Sequence, residues 1–345
     1  MIKNILIHKT PAQAVAEAKE HIHRERDGEQ YGLKCEFPSV NIAMGKYFRF
    51  NNVNLIAGLS GHAKSYLMNI LTNNFLDYGK EGLNENITFV PIVFNFCFEM
   101  SAYNEILRSV AGDMGVSYSY LLSSQYDKDT KDYNRLTDDE AIRVEEYLKF
   151  YENKSMLFFE TPGNVKVIYN TVEHYVTKYL AIGKTNGLDY KFIINIDHTL
   201  LIDTLDEKSA LELMANVGKV SIRIRKEFSA MVNLLGQLNN NIEDVKRITN
   251  KSLHYPIKSD IYAQGQLYNA CDSVFVIHQP QLLKITEYGT PKRPTANLIH
   301  LIKLKARHGI VGSIWLQNAL GIGKIIEISK EIEEIEEEDR NLEHI

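Results

Sequence analysis

The segment that most constrains the fold is Asn54-Leu55-Ile56-Ala57-Gly58-Leu59-Ser60-Gly61-His62-Ala63-Lys64-Ser65. A short apolar run enters a turn in which a glycine is followed, six residues later, by Lys-Ser. The stretch after it, Tyr66-Leu67-Met68-Asn69-Ile70-Leu71, has helical periodicity. A strand that passes through such a turn into a helix aims several backbone N–H groups and the helix dipole at one point. That point suits the concentrated negative charge of a triphosphate. Gly58, Leu59, Ser60, Gly61, His62, Ala63, Lys64 and Ser65 are therefore read as a cradle for ATP. Lys64 would reach the β and γ phosphates, and the Ser65 hydroxyl would ligate Mg²⁺. The usual pattern has glycine before the lysine. Ala63 in that place is expected to take helical dihedrals at the helix start, leaving Gly58 and Gly61 to give the loop its freedom.

The rest of the chain alternates short apolar runs with longer amphipathic stretches. The runs are Val53–Ala57, Ile87–Cys97, Met156–Phe159, Phe192–Ile196, Met231–Leu235, Ser273–Ile277 and Leu298–Leu304. Helical patterns cover Ser65–Tyr78 and Asp138–Tyr151, the second opened by the capping box Thr137-Asp138-Asp139-Glu140. Continuous β-rich runs between helices predict an α/β fold with a mostly parallel central sheet and helices on both faces. Residues 10–27 read as a helix opened by Thr10-Pro11-Ala12-Gln13. Its apolar face, Val15, Ala18 and Ile22, is too narrow to bury much. It is either a surface helix of the main domain or an arm that docks elsewhere. Residues 240–260 are polar and aperiodic, and read as a long loop.

Four strand ends carry side chains suited to nucleotide chemistry, because open α/β sheets bind ligands at the carboxyl ends of their strands. Phe192–Ile196 ends in Asp197, a carboxylate for the metal side. Val93-Phe94-Asn95-Phe96-Cys97-Phe98 ends in Glu99, a base for an attacking water. Leu234-Leu235-Gly236 ends in Gln237, an amide for the γ-phosphate. Leu304 leads into Lys305-Ala306-Arg307-His308-Gly309, where two cations share one side of an extended chain and suit a γ-phosphate presented by a neighbouring subunit. Asn195, polar within its apolar run, is expected to face a helix and hydrogen-bond there.

Composition narrows the class. The chain has 345 residues with 44% hydrophobic and 24% charged, which excludes a disordered or collagen-like chain. No run of eighteen apolar residues is present, so no membrane span is expected. Cys35, Cys97 and Cys271 form no CxxC pair, which argues against a disulfide framework or zinc site and fits a reducing cytoplasm. The formal net charge is −5, but Glu327–Ile345 holds nine acidic and two basic residues, so the body is slightly positive. That balance neither demands nor forbids nucleic acid.

Taken together, these segments resemble the C-terminal motor domain of the DnaB family of replicative helicases, over about residues 28–320. The phosphate loop, Phe96-Cys97-Phe98-Glu99-Met100, Ile196-Asp197-His198, Gly236-Gln237-Leu238-Asn239 and Lys305-Ala306-Arg307-His308-Gly309 fall in the family's order. So do Leu157-Phe158-Phe159-Glu160-Thr161-Pro162-Gly163 and Ser259-Asp260-Ile261 with Gly265 and Ala270-Cys271-Asp272. The departures are Ala63 for glycine, His198 for the usual tyrosine, and Asn240 and Tyr262 for arginines.

The resemblance implies a RecA-like P-loop NTPase core at 29–326. It is preceded by an arm at 1–28, whose helix is the linker that packs on the next subunit, and followed by an acidic tail at 327–345. It implies an ATP-dependent helicase acting as a hexameric ring on single-stranded DNA, with Mg²⁺ and ATP at each boundary. Lys64, Glu99, Gln237, Lys305 and Arg307 would be its catalytic set, the last two acting in trans, and Ser65 and Asp197 would stand at the metal. Lys246, Arg247, Lys251 and Lys258 would face DNA. Primase, loader or polymerase would be partner classes, and the cytoplasm the location, the host's if the chain is phage-encoded. The absence of the family's N-terminal domain points to such a minimal, phage-like version. The alternatives are a RecA-like recombinase-type ATPase and a non-catalytic nucleotide-binding assembly subunit.

Overall fold

The computed structural model describes residues 9–77, 82–290 and 292–328. Its centre is a nine-stranded sheet. In chain order the strands are β1 (Val53–Gly58), β2 (Val90–Cys97), β3 (Met156–Phe159), β4 (Tyr190–Asp197), β5 (Met231–Gln237), β6 (Ser273–His278), β7 (Leu298–Ala306), β8 (Gly312–Ala319) and β9 (Lys324–Glu327). They lie in the order β9-β8-β7-β6-β1-β5-β4-β2-β3. Every pairing from β6 to β3 is parallel. β7, β8 and β9 extend the sheet antiparallel.

The longer helices are α1 (Pro11–Arg26), α2 (Lys64–Leu76), α3 (Ala102–Met114), α4 (Asp138–Glu152), α5 (Val165–Asn186) and α6 (Ala210–Phe228). Alternation along β1 divides the core. Leu55 and Ala57 pack with Val172 and Val176 of α5 and Leu213 and Val217 of α6. Ile56 packs on the other face with Leu67, Leu71 and Phe75 of α2. Both faces of the parallel strands are thereby covered, as continuous apolar runs require. Both expected capping boxes form, at Thr10 with Gln13 and at Thr137 with Glu140.

A row of asparagines crosses the parallel strands in register. Asn54 pairs with Asn233, Asn233 with Asn195, and Asn195 with Asn95. Asn54 Nδ2 donates to Asn233 Oδ1 at 2.8 Å, and Asn233 Nδ2 to Asn195 Oδ1 at 2.9 Å. Asn195 Nδ2 donates to Thr72 Oγ1 of α2 at 2.8 Å, so the residue faces a helix as expected. A buried polar row is tolerable because three of its four amides, those of Asn54, Asn233 and Asn195, donate to a partner in the next strand or helix.

Two regions differ from what the sequence pattern shows. Beyond the last apolar run, β8 and β9 extend the sheet; each carries only a short apolar core, Ile314-Trp315-Leu316 and Ile325-Ile326, which a run-based reading passes over. Glu327 closes β9. Glu327 Oε1 accepts the Ser39 N–H at 3.0 Å. Residues 240–260 are a chain of short helical turns, Asn240–Glu243, Val245–Thr249, Lys251–Leu253 and Lys258–Asp260. Asn239, Asp244 and Asn250 each cap the turn that follows. Turns this short show no period in sequence. The acidic run Lys330–Glu343 lies outside the described residues.

α1 buries none of its residues, and Val15 and Ile22 are 51% and 64% exposed. Its C-terminal end is tied down, where the Glu25 carboxylate accepts from Tyr47 and Lys46. α1 thus lies exposed along its length and is tied to the domain at its C-terminal end.

Candidate functional site

β1 delivers Gly58 to the carboxyl edge of the sheet, and α2 starts at Lys64 beneath the loop. Gly58 has no room for a side chain, since a Cβ there would lie 2.7 Å from the Ile277 carbonyl oxygen. Ala63 does not take helical dihedrals. Its φ of 69° and ψ of 23° put it in the left-handed region, which explains why the common pattern has glycine there. The loop thus holds a strained alanine. His62 is buried, and its Nδ1 accepts the Gln279 N–H at 3.0 Å. Burial and the neighbouring Lys64 charge push its pKa down to about 4, so the ring stays neutral.

Lys64 Nζ donates to the Leu59 carbonyl at 2.8 Å and to Gln237 Oε1 at 3.4 Å. Its burial lowers its pKa, offset by the carboxylates of Asp197 and Glu99. The parallel pairing of β1, β5, β4 and β2 brings Gly58, Gln237, Asp197 and Cys97 to one edge. A cleft of about 370 Å³ opens there, lined by Ser60, Lys64, Ser65, Glu99, His198 and Gln237, among others. Lys64 and Ser65 of the loop thus share the cleft with Glu99 and Gln237 from two strand ends, and Asp197 from a third is bonded to the Ser65 hydroxyl.

Asp197 is buried and its Oδ1 has no hydrogen-bond partner among the described residues. Burial pushes its pKa up to about 6, against the Ser65 hydroxyl bond that lowers it. An orphaned carboxylate oxygen beside a serine hydroxyl fits a hydrated divalent cation. No group of three or more His, Cys, Asp or Glu with metal-holding geometry occurs among the described residues, so any such ion would need phosphate and water as further ligands.

Sequence reasoning missed Glu105 and Arg108. Both lie on α3, which starts just after Glu99, and their spacing of three puts them on one helix face. Glu105 is buried, accepts from Asn69 Nδ2 at 3.1 Å, and is pushed up to about 7 by burial and by Asp197. Arg108 lines the cleft, with its guanidinium carbon 5.9 Å from the Tyr118 ring centroid.

A family model described as the DnaB-like helicase C terminal domain matches residues 32–325. The chain belongs to that family. Two solved structures share its fold. One, described as an ATPase domain, has a TM-score of 0.72 at 17% identity, covering 94% of this chain and 100% of that one. The other is a DnaB-like replicative helicase described with its interactions with primase. It has a TM-score of 0.72 at 17% identity, covering 93% of this chain and 69% of that one. No curated protein matches the sequence. The resemblance read from the motifs therefore holds, with a RecA-like core and the sheet order above.

The remaining assigned residues of this DnaB-like chain lie away from the cleft. Arg307 follows β7, where its Nη1 sits 2.6 Å from Asp272 Oδ1 while its N–H donates to the Asp272 carbonyl at 2.8 Å. Asp272 also pairs with Arg225. Lys305 Nζ donates to the carbonyls of Tyr268 at 2.8 Å and Asn269 at 3.3 Å. Gly309, with φ +81°, closes the turn; a Cβ there would lie 1.9 Å from the Ala43 carbonyl oxygen. Neither cation lines the cleft of its own chain.

Of the four basic residues proposed for DNA, Arg247 is corrected. It donates to the carbonyls of Leu253 at 3.0 Å and Tyr255 at 2.7 Å and pairs with Asp260 at 2.5 Å, so it braces the loop from inside. Lys251 pairs with Glu287, and Lys258 lies 4.9 Å from the Tyr268 ring centroid. Lys246 is exposed. Among the described residues no helix is long and apolar enough to cross a membrane.

Proposed function

We propose that this chain is an ATP-dependent DNA helicase subunit that hydrolyses ATP with Mg²⁺ at the seam between two copies, in a hexameric ring translocating on single-stranded DNA. One observation carries the reading. The cleft gathers Lys64, Ser65, Glu99, Gln237 and Arg108, with Asp197 bonded to the Ser65 hydroxyl behind it, and the cations Lys305 and Arg307 do not line it. A cleft supplied in this way is completed by a second subunit.

In this reading the loop N–H groups and Lys64 hold the triphosphate. Ser65 and Asp197 would hold Mg²⁺, which when bound neutralises phosphate charge. Glu99 accepts a proton from water as it attacks the γ-phosphorus, and Gln237 fixes the γ-phosphate side. The neighbour's Arg307, supported by Lys305, meets the charge that spreads over the equatorial oxygens. The exposed arm α1 supplies the contact that holds neighbours together. Lys246, with Lys251 and Lys258, faces the strand through phosphate contacts that read no sequence. Primase, loader or polymerase remain partner classes for the outer surface, and the cytoplasm the place of action.

The test is ATP turnover with and without single-stranded DNA, run beside mass measurement of the assembly. DNA-stimulated turnover by a six-subunit ring is expected. Turnover at full rate by a monomer under all nucleotide and DNA conditions would remove the reading, and helical filaments on DNA would favour the recombinase alternative.

A further inference from the structure

His198 occupies the place where the family usually has tyrosine, directly after Asp197. It opens a short helical turn, Thr199–Leu201, and its Nδ1 accepts the Leu200 N–H at 3.2 Å. The turn is fixed from below, because the buried Thr199 hydroxyl donates to the Leu235 carbonyl of β5 at 3.0 Å. An imidazole nitrogen that accepts a backbone N–H cannot carry a proton. The ring hydrogen is therefore on Nε2. Nε2 lies 3.6 Å from Glu99 Oε2, on the cleft wall. The His198 side chain is 15% exposed and the Glu99 side chain 51%, so an anchored donor faces a mobile acceptor. Among the described residues, His198 is the ion-pair-range contact of the Glu99 carboxylate. The distance is longer than a formed hydrogen bond, as is common before substrate closes a site.

We propose that His198 is a positioning residue, whose Nε2–H aims the Glu99 carboxylate at the attacking water. This rests on Glu99 being the base. An exposed glutamate on a flexible stem samples several rotamers, and its use as a base requires one of them.

The experiment measures kcat and KM for DNA-stimulated ATP hydrolysis by the full chain, with thermal melting to confirm folding. His198→Phe keeps the ring and removes the donor. It is expected to lower kcat by about 10²-fold, with KM changed by no more than about twofold. His198→Gln, which returns an N–H at similar reach, is expected to recover most of that loss. In a Glu99→Gln background, His198→Phe should add little further loss, because it acts through the carboxylate. Unchanged kcat in His198→Phe, a loss confined to KM, no recovery with His198→Gln, or an undiminished further loss in the Glu99→Gln background would each overturn the proposal. Undiminished turnover in Glu99→Gln alone would instead overturn the reading of Glu99 as the base.

Discussion

The cradle and the finger are built on opposite principles. The cradle, Gly58–Ser65 with Asp197, Glu99 and Gln237, is assembled by parallel strand pairing within one chain and opens to solvent beside unsatisfied groups such as Asp197 Oδ1. The finger, Lys305 and Arg307, sits at the end of the antiparallel extension with its charges already occupied, on Asp272 and on the carbonyls of Tyr268 and Asn269. One region is short of partners and the other holds partners of its own. On the proposed reading, the difference teaches that neither half of the reaction is complete alone, and that the finger would have to exchange an internal carboxylate for a neighbour's phosphate.

The strongest way to break this comparison is to remove the finger. Arg307→Ala should lower kcat by about 10³-fold or more while leaving nucleotide affinity nearly unchanged. Arg307 is itself 56% exposed, but it pairs with the buried Asp272 Oδ1, so some loss of melting temperature is expected beside the kinetic effect, limited because Arg225 and the Val53 N–H still hold Oδ2. Mixing Arg307→Ala with Lys64→Ala chains should restore part of the turnover, because some seams would then pair an intact cradle with an intact finger. Steady-state turnover of the mixture reads this directly. No recovery at any ratio, despite mixed assemblies, would place both residues in one chain's site.

Removing the base acts from the cradle side. Glu99→Gln should lower turnover by roughly 10²- to 10⁴-fold while keeping ATP bound, as measured by single-turnover hydrolysis and by binding of a fluorescent nucleotide. The two predictions separate the regions, because only the finger defect can be complemented by a Lys64→Ala partner carrying an intact Arg307.

The cradle was legible in sequence because its geometry is local. A strand, a turn and a helix within about twenty residues fix Gly58 to Ser65, and strand-end positions place Asp197, Glu99 and Gln237 at the same edge once the sheet is parallel. Ala63 was misjudged because a sequence pattern gives residue type and not φ. Glu105 and Arg108 escaped notice because a helix face is read relative to a neighbour, and that neighbour, α2, is set by tertiary packing. Arg247 was assigned outward by its charge alone, yet its partners, Leu253, Tyr255 and Asp260, are six to thirteen residues away in a segment with no visible period. β8 and β9 were missed because their apolar stretches, Ile314-Trp315-Leu316 and Ile325-Ile326, are too short to read as strands without the partner strand beside them.

A smaller effect tests the electrostatic side of the cradle. The Asp197 pKa is raised from an ordinary carboxylate value to about 6 in the folded chain. A raised acid contributes stability that is complete below the unfolded value, near 4, and is lost as pH rises through about 6. Nucleotide-free protein at pH 8 therefore holds an ionised, buried Asp197 at a cost on the order of 2 kcal/mol. Asp197→Asn should raise the melting temperature at pH 8 and give no advantage below pH about 4. Addition of ATP and Mg²⁺ should reverse the order at pH 8, stabilising the natural chain and not the variant. A gain that is the same at every pH would assign the effect to packing.

The smallest expected effect lies inside the cradle, at the residue joining loop to helix. Ala63 is held at φ 69°, where a side chain costs about 1–2 kcal/mol relative to glycine. Glycine would relieve that strain but loses more freedom on folding, a penalty of about 0.5–1 kcal/mol. The Ala63 methyl also packs on the core beneath α2, a contact that glycine removes. Strain outweighs the other two narrowly, so Ala63→Gly should raise the melting temperature by about 2 °C. Turnover should stay within about twofold, since the backbone N–H groups that meet phosphate are unchanged. A fall in melting temperature would mean that the methyl contact, and not the dihedral, decides this position. The cradle would then be held by its packing as firmly as the finger is held by its ion pair, and the contrast between the two regions would narrow.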